Sequence, residues 1–293
     1  MKQGLTVFRA IVLTLGFAFL YIPIVSLIVY SFNESRLVTV WGGFSTKWYG
    51  ALFRNEQILN AAWLSIKVAV LSATLAVVIG TLAGMALARF GPFKGRTLLS
   101  GLTTAPLVMP EVITGLSLLL LFVTMEQLIG WPAGRGMTTI VISHITFTMA
   151  FVTVIVQSRL AQMDDSLEEA AMDLGARPSR VFFLITLPII FPALLSGWLL
   201  ALTLSLDDLV ITSFVAGPGS STLPMVIFSK VRLGVSPDIN ALATILVTIV
   251  AIGAIVAGMV QNRKQRERDR DAQMALAANQ QMIDSLKEVV RHQ

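Results

Sequence analysis

The chain has 293 residues, of which 55% are apolar and 13% charged, with a net charge of +5. Soluble domains carry about twice that charged fraction, and the apolar residues here fall in long uncharged blocks, which excludes an ordinary soluble protein. With no cysteine and only His144 and His292, a disulfide framework, a thiolate metal site and a histidine metal cluster are excluded as well.

A helix crossing a hydrocarbon core of about 30 Å needs about 20 mostly apolar residues. Six blocks qualify: roughly 10–31, 68–88, 98–123, 137–157, 181–204 and 239–261. Each must be helical, because lipid cannot satisfy free backbone groups. The first is too long for a signal-peptide core and no small-residue cleavage site follows it, so it reads as a retained span. Residues 32–67 form a long loop whose Trp41, Trp48 and Tyr49 suit an interface belt. Gly80 and Gly84 in the second span make a small-xxx-small pattern that favours close packing. Pro106 and Pro110 interrupt the third span just before Glu111, and His144 lies within the fourth. After the fifth come Asp207 and Asp208. The short apolar piece Leu209–Ala216 cannot span alone and is expected to dip back into the protein. The run Gly217-Pro218-Gly219-Ser220-Ser221 then marks a turn. The tail 262–293 is polar and densely charged, suited to a solvated helix or to disorder. No internal repeat is visible.

Basic residues set the orientation. With the N-terminus inside, the inner segments 1–9, 89–97, 158–180 and 262–293 hold 15 of the 22 lysines and arginines. Both termini are therefore expected in the cytoplasm. The basic charge is a topology signal, so a nucleic-acid partner is not expected.

The cytoplasmic loop between spans four and five is the most informative stretch. In SLEEAAMDLGARPSRVFFLITLP, 166–188, Ser166 followed by Glu169 predicts a capping box and a helix start. Leu167, Ala170, Ala171 and Leu174 fall at i, i+3, i+4 and i+7, one apolar stripe. Gly175 stands where a left-handed C-cap belongs, and Pro178 suits the first turn of a second helix. The expected product is a short amphipathic helix with a small-residue face that a partner can approach closely. An ordinary surface helix would not require the later spacing: Glu169-Ala170-Ala171, three residues, Gly175, nine residues, Ile185, one residue, Leu187-Pro188. This resembles the EAA motif of ABC importer permeases at every position. The stretches LVTVWGGFSTKWYG (37–50), APLVMPEVITGLSLLLLF (105–122), TLSLDDLVITSFVAGPG (203–219) and SPDINALATI (236–245) resemble the polyamine importer permeases, above all the second permease subunit of putrescine systems. The resemblance runs from about residue 10 to 262, and the tail looks longer than the family pattern.

The resemblance implies an all-α integral membrane protein of the bacterial inner membrane, with six transmembrane helices in the type I ABC importer permease fold. It implies a permease domain over 10–261, with its coupling loop at 158–180 and the charged tail outside it. Ser166–Gly175 would be the coupling helix, with Glu169, Ala170 and Gly175 the motif positions that dock a separate ATPase. The implied partners are a second homologous permease, two copies of an ATP-binding subunit, a periplasmic substrate-binding protein and a small cationic substrate. ATP-Mg would be used by the ATPase, with no cofactor bound by this chain.

Ionisable residues inside a span cost roughly 2.5–3.5 kcal/mol on insertion scales, so they point to function. Interrupted helices commonly form transporter sites, which makes Glu111 a candidate substrate carboxylate; a hydrogen-bonded structural carboxyl at the helix break is the alternative. Asp207 and Asp208 form a negative site beside the pathway, or are solvated at a helix end. A diamine would pair with such carboxylates and gain cation–π attraction from aromatic faces. Trp48 is a candidate aromatic contact or an interface anchor, and Ser205 a candidate hydroxyl partner near Asp207. For His144, hydrogen-bonded packing is weighed against a proton relay. No G-x-x-x-x-G-K-[ST] phosphate loop occurs, so ATP binding by this chain is excluded, and there is no HExxH or GxSxG pattern. The rival reading, an ATP-independent secondary transporter or channel, predicts inverted repeats and leaves the EAA spacing unexplained.

Overall fold

The structure is a computed structural model and describes residues 2–37, 40–233, 237–253, 255 and 259. Its helices are α1 Lys2–Ser31, α2 Lys47–Leu52, α3 Glu56–Arg89, α4 Arg96–Val108, α5 Glu111–Ile129, α6 Met137–Ala161, α7 Ser166–Asp173, α8 Pro178–Val181, α9 Leu187–Asp207, α10 Val210–Val215 and α11 Leu223–Leu233, followed by α12, Pro237–Gly253. A π-helical turn, Phe182–Thr186, joins α8 to α9. Among the described residues, the only pairing of extended segments is the isolated bridge Asn33–Phe44. Five segments are long and apolar enough to cross a membrane: Val7–Ser31, Glu56–Arg89, Glu111–Ile129, Met137–Ala161 and Pro178–Asp207.

The sequence boundaries need correction at three of the expected spans. The second does not begin near 68: α3 runs 34 residues from Glu56, its N-terminus capped by the Asn55 side chain accepting the Ile58 N–H at 3.2 Å. A hydropathy window stops at the first charge, but the helix continues through Lys67, whose ammonium lies 5.4 Å from the Trp63 ring centroid. The third expected span is two helices. α4 ends at Val108 and α5 starts at Glu111 after Pro110, because proline lacks an N–H and holds the residue before it extended. The fifth carries the π turn, in which the Leu187 N–H reaches back to Phe182 O. The turn immediately precedes Pro188, which cannot donate to Leu184 O and crowds it, so the backbone widens there.

The chain falls into two compact units, one over Phe53–Val235 and the other formed by the described residues before and after it. In the first, α3 packs along α6 and α9. Its buried face is mostly small: Ala61, Ser65, Ala69, Ala73, Ala76, Gly80 and Gly84 recur every three or four residues. A Cβ on Gly80 would lie 2.8 Å from Val152 Cβ, and one on Gly84 3.0 Å from Val156 Cβ. The small-xxx-small pair therefore sets the α3–α6 approach, through which dispersion rather than water expulsion holds helices in lipid. Val152, Val156, Leu160, Ile190, Leu194 and Ala201 complete the core there. α10 packs on α5 and α6 with Ile211, Thr212 and Val215 buried, so the short apolar piece does fold back into the protein.

In the second unit, α1 leads into a loop organised by Asn33. Its amide donates to Val40 O at 2.8 Å, and its Oδ1 accepts the N–H groups of Gly42 at 2.8 Å and Ser35 at 3.2 Å. The expected tail, 262–293, lies outside the described residues.

Candidate coupling surface and substrate pathway

α7 forms where the amphipathic pattern places it, but not through the expected capping box. Asp165 occupies the N-cap position with helical backbone and no side-chain cap bond, and Asp164 Oδ1 accepts the Ser166 N–H at 3.0 Å. That backbone hydrogen bond holds the Asp164 carboxyl below its usual range. The first-turn carboxylates are drawn elsewhere. Asp165 pairs with Arg89 Nη1, and Glu168 Oε2 lies 3.0 Å from Arg89 Nε. The other oxygen of Glu168 accepts the Thr186 hydroxyl.

No residue of α7 is buried. Leu167, Glu169 and Ala170 are exposed, as is Leu174 just beyond the helix, at 90%. Gly175 takes φ +85°, the left-handed conformation that ends the helix without Cβ strain, and α8 begins at Pro178. Glu168 and Glu169 are successive residues about 100° apart around the helix. One points at α3; the other makes no ion pair among the described residues.

The acids at the other candidate site divide in the same way. Asp208 is turned inward, its side chain 5% exposed. Its Oδ1 accepts the Ile211 N–H at 3.2 Å. Its Oδ2 accepts the Thr212 N–H at 2.7 Å and hydroxyl at 2.6 Å, capping α10. His144 Nε2 lies 3.2 Å from the same oxygen. His144 Nδ1 is 2.6 Å from Ser205 Oγ, which Ser72 Oγ reaches at 3.1 Å. His144 Nε2 also lies 2.9 Å from Thr212 Oγ1, so the ring joins Ser205 on one side to Thr212 and Asp208 on the other. Thr139 Oγ1 donating to Val215 O at 2.7 Å ties the far end of α10 to α6. His144 is thus a packed, hydrogen-bonded residue at a junction of α3, α6, α9 and α10.

Asp207 is exposed at the end of α9, and Glu111 is exposed as the first residue of α5. Neither pairs with a basic side chain among the described residues. The structure therefore brings Ser205 and Asp208 together in one closed network and leaves Asp207 and Glu111 open. Trp48 belongs to the other unit. It is half-buried, donates from Nε1 to Asn33 O at 2.7 Å, and has the Lys47 ammonium 5.1 Å from its ring centroid. Sequence reasoning did not single out Arg89, Asp165, Glu168 or Thr186. The Arg–Glu signal was present in the sequence, but a 79-residue separation hides which glutamate the arginine meets.

A model of the family described as binding-protein-dependent transport system inner membrane component matches residues 76–268. This chain belongs to that family. It is accordingly a multi-pass inner-membrane transport protein and not an enzyme. It is 57% identical over 267 residues to the putrescine transport system permease protein PotI of Escherichia coli (strain K12), covering 91% of this chain and 95% of that one. It is 42% identical over 259 residues to the spermidine/putrescine transport system permease protein PotC of the same strain, covering 88% and 96%. Among solved structures, a bacterial ABC transporter involved in the import of the acidic polysaccharide alginate aligns with a TM-score of 0.68 at 16% identity, covering 89% of this chain and 96% of that chain. At that identity the likeness concerns the fold, that of an ABC importer permease.

Proposed function

We propose that this chain is one of two permease chains of an ATP-driven polyamine importer, with putrescine as its substrate. The observation that carries the reading is α7: a helix with EAA spacing and no buried residue, its stripe of Leu167, Ala170 and Leu174 uncovered and Glu169 without an ion pair among the described residues. An apolar stripe left open beside a free carboxylate is a surface built for another protein. The similarity to the putrescine and spermidine/putrescine permeases supports the substrate class.

In this reading the chain crosses the membrane six times, α4 and α5 together making one interrupted crossing and α12 beginning the sixth, with both termini in the cytoplasm. The permease domain covers 10–261, and 262–293 is an added cytoplasmic tail. Two ATP-binding subunits use ATP-Mg below the membrane, one of them docking on Glu169, Ala170 and the Gly175 turn; this chain binds no cofactor. A periplasmic binding protein delivers the diamine. Asp207 and Glu111, exposed and without a basic partner among the described residues, receive the ammonium groups, and Trp48 offers its ring to a cation as it does to Lys47. Ser205 and Asp208 act from behind, holding the α9–α10 turn that presents Asp207.

Uptake of labelled putrescine in the native host, with and without the gene and with unlabelled spermidine as competitor, tests this. Uptake lost on deletion and barely inhibited by spermidine supports the putrescine reading. Unchanged uptake removes the polyamine claim.

A further inference from the structure

Arg89 is the last residue of α3, and its side chain is 15% exposed. It meets Asp165 and Glu168 at the start of α7, while Glu168, also 15% exposed, spends its second oxygen on Thr186. Thr186 is 1% exposed and closes the π turn directly before α9. Three segments distant in sequence therefore meet through one carboxylate. The groove around them has a volume of about 380 Å³ and is walled by Met85, Phe90, Met172 and Phe182, which keeps the charges partly desolvated and strengthens their attraction. The turn after Arg89 is itself fixed: the Arg96 guanidinium donates to Leu87 O and Gly91 O, both at 2.9 Å. α3 and α9 are the helices that pack on each other through the core, and they carry Ser72 and Ser205.

We propose that Arg89 and Glu168 form a transmission clamp, which passes displacement of α7 simultaneously to α3 and, through Thr186, to α9. The inference rests on the reading of α7 as the ATPase-docking helix and adds what happens on its inner side. Glu169 faces the ATPase and Glu168 faces the bundle. Without the clamp, α7 would be joined to α9 only through the Gly175 turn and α8, where a movement of α7 is absorbed by backbone rotation. With it, the pull reaches two core helices at a side-chain contact. Arg89 and Glu168 are positioning residues: neither touches substrate or nucleotide.

The test uses the complete complex, purified from membranes with its partner permease, ATPase and binding protein and reconstituted in proteoliposomes. ATP hydrolysed per putrescine imported is measured for Arg89→Gln, Glu168→Gln and the milder Thr186→Val. The expected result is normal co-purification of the ATPase and a rise of about fivefold or more in ATP per putrescine for Arg89→Gln and Glu168→Gln, with a smaller rise for Thr186→Val. The exchange Arg89→Glu with Glu168→Arg is expected to bring the ratio back toward wild type. An unchanged ratio, or equal losses of hydrolysis and uptake across all three single variants, overturns the clamp. Glu169→Gln separates this from the underlying reading. Its expected effect is loss of the ATPase from the purified complex; full retention and full coupling would overturn the docking assignment and the clamp with it.

Discussion

Two polar clusters sit in the same bundle and are built on opposite principles. At the α7 end, a full guanidinium meets two carboxylates, one of them largely open to water: Asp165 is 65% exposed. At the α9–α10 turn, one carboxylate is surrounded by backbone, hydroxyl and imidazole groups, and a histidine and two serines carry the network across to α3. Ser72, where that network ends, lies 17 residues before Arg89 on α3, roughly 25 Å along the helix. The difference follows from desolvation. At the α7 end only the pairing with the open Asp165 is of the exposed kind that contributes little to stability, while Arg89 and Glu168, each 15% exposed, are partly desolvated and attract more strongly. Deeper in the bundle an unpaired charge is costly, so Asp208 is held by every donor within reach.

That contrast can be broken most severely at Asp208. Asp208→Ala leaves the Thr212 hydroxyl and two N–H groups without their acceptor and removes the carboxylate beside His144, and should cost about 3–5 kcal/mol, read from unfolding of the detergent-solubilised protein; a loss below about 1 kcal/mol would mean water already shares the site. Next is the packing on which both clusters depend. Gly80→Leu drives a side chain into Val152, with an expected loss of about 1–3 kcal/mol and a lower yield of assembled protein in membranes. His144→Gln keeps a hydrogen-bonding side chain but cannot span Ser205 and Asp208 together, so about 1–2 kcal/mol is expected by the same unfolding measurement. The smallest stability change belongs to the neighbouring acid. Asp207→Asn should stay within about 0.5 kcal/mol of wild type while weakening putrescine uptake at normal assembly. Uptake at the full rate would remove Asp207 from the pathway and erase the functional distinction between the two aspartates.

Much of the fold was legible because lipid imposes length and hydrophobicity on whole segments. The first and fourth expected spans fall on α1 and α6, and the fifth on α9 with the π turn before it. The Gly175 turn and Pro178 start were legible because each depends on a backbone property of one residue. The start of α3 was not, since Lys67 reads as a boundary in hydropathy yet is accommodated over the Trp63 ring. Nor was the absence of a capping box at Ser166: the helix starts one residue earlier than the pattern implied, with Asp165 at the N-cap position and its carboxylate turned to Arg89.

What the sequence determined by itself is the class of the molecule, most of its apolar helical segments and the EAA spacing, all of which follow from periodicities and spacings within a few turns of chain. What only the tertiary structure decided is which member of each adjacent acid pair turns inward: Glu168 rather than Glu169, Asp208 rather than Asp207. Successive residues share local propensities, and which of them meets the donors depends on how the chain turns and what packs against it. Arg89, 79 residues away, reaches Glu168 and not Glu169, and His144, 64 residues away, joins the α10 N–H groups and Thr212 hydroxyl on Asp208, while no salt bridge reaches the neighbouring acid among the described residues.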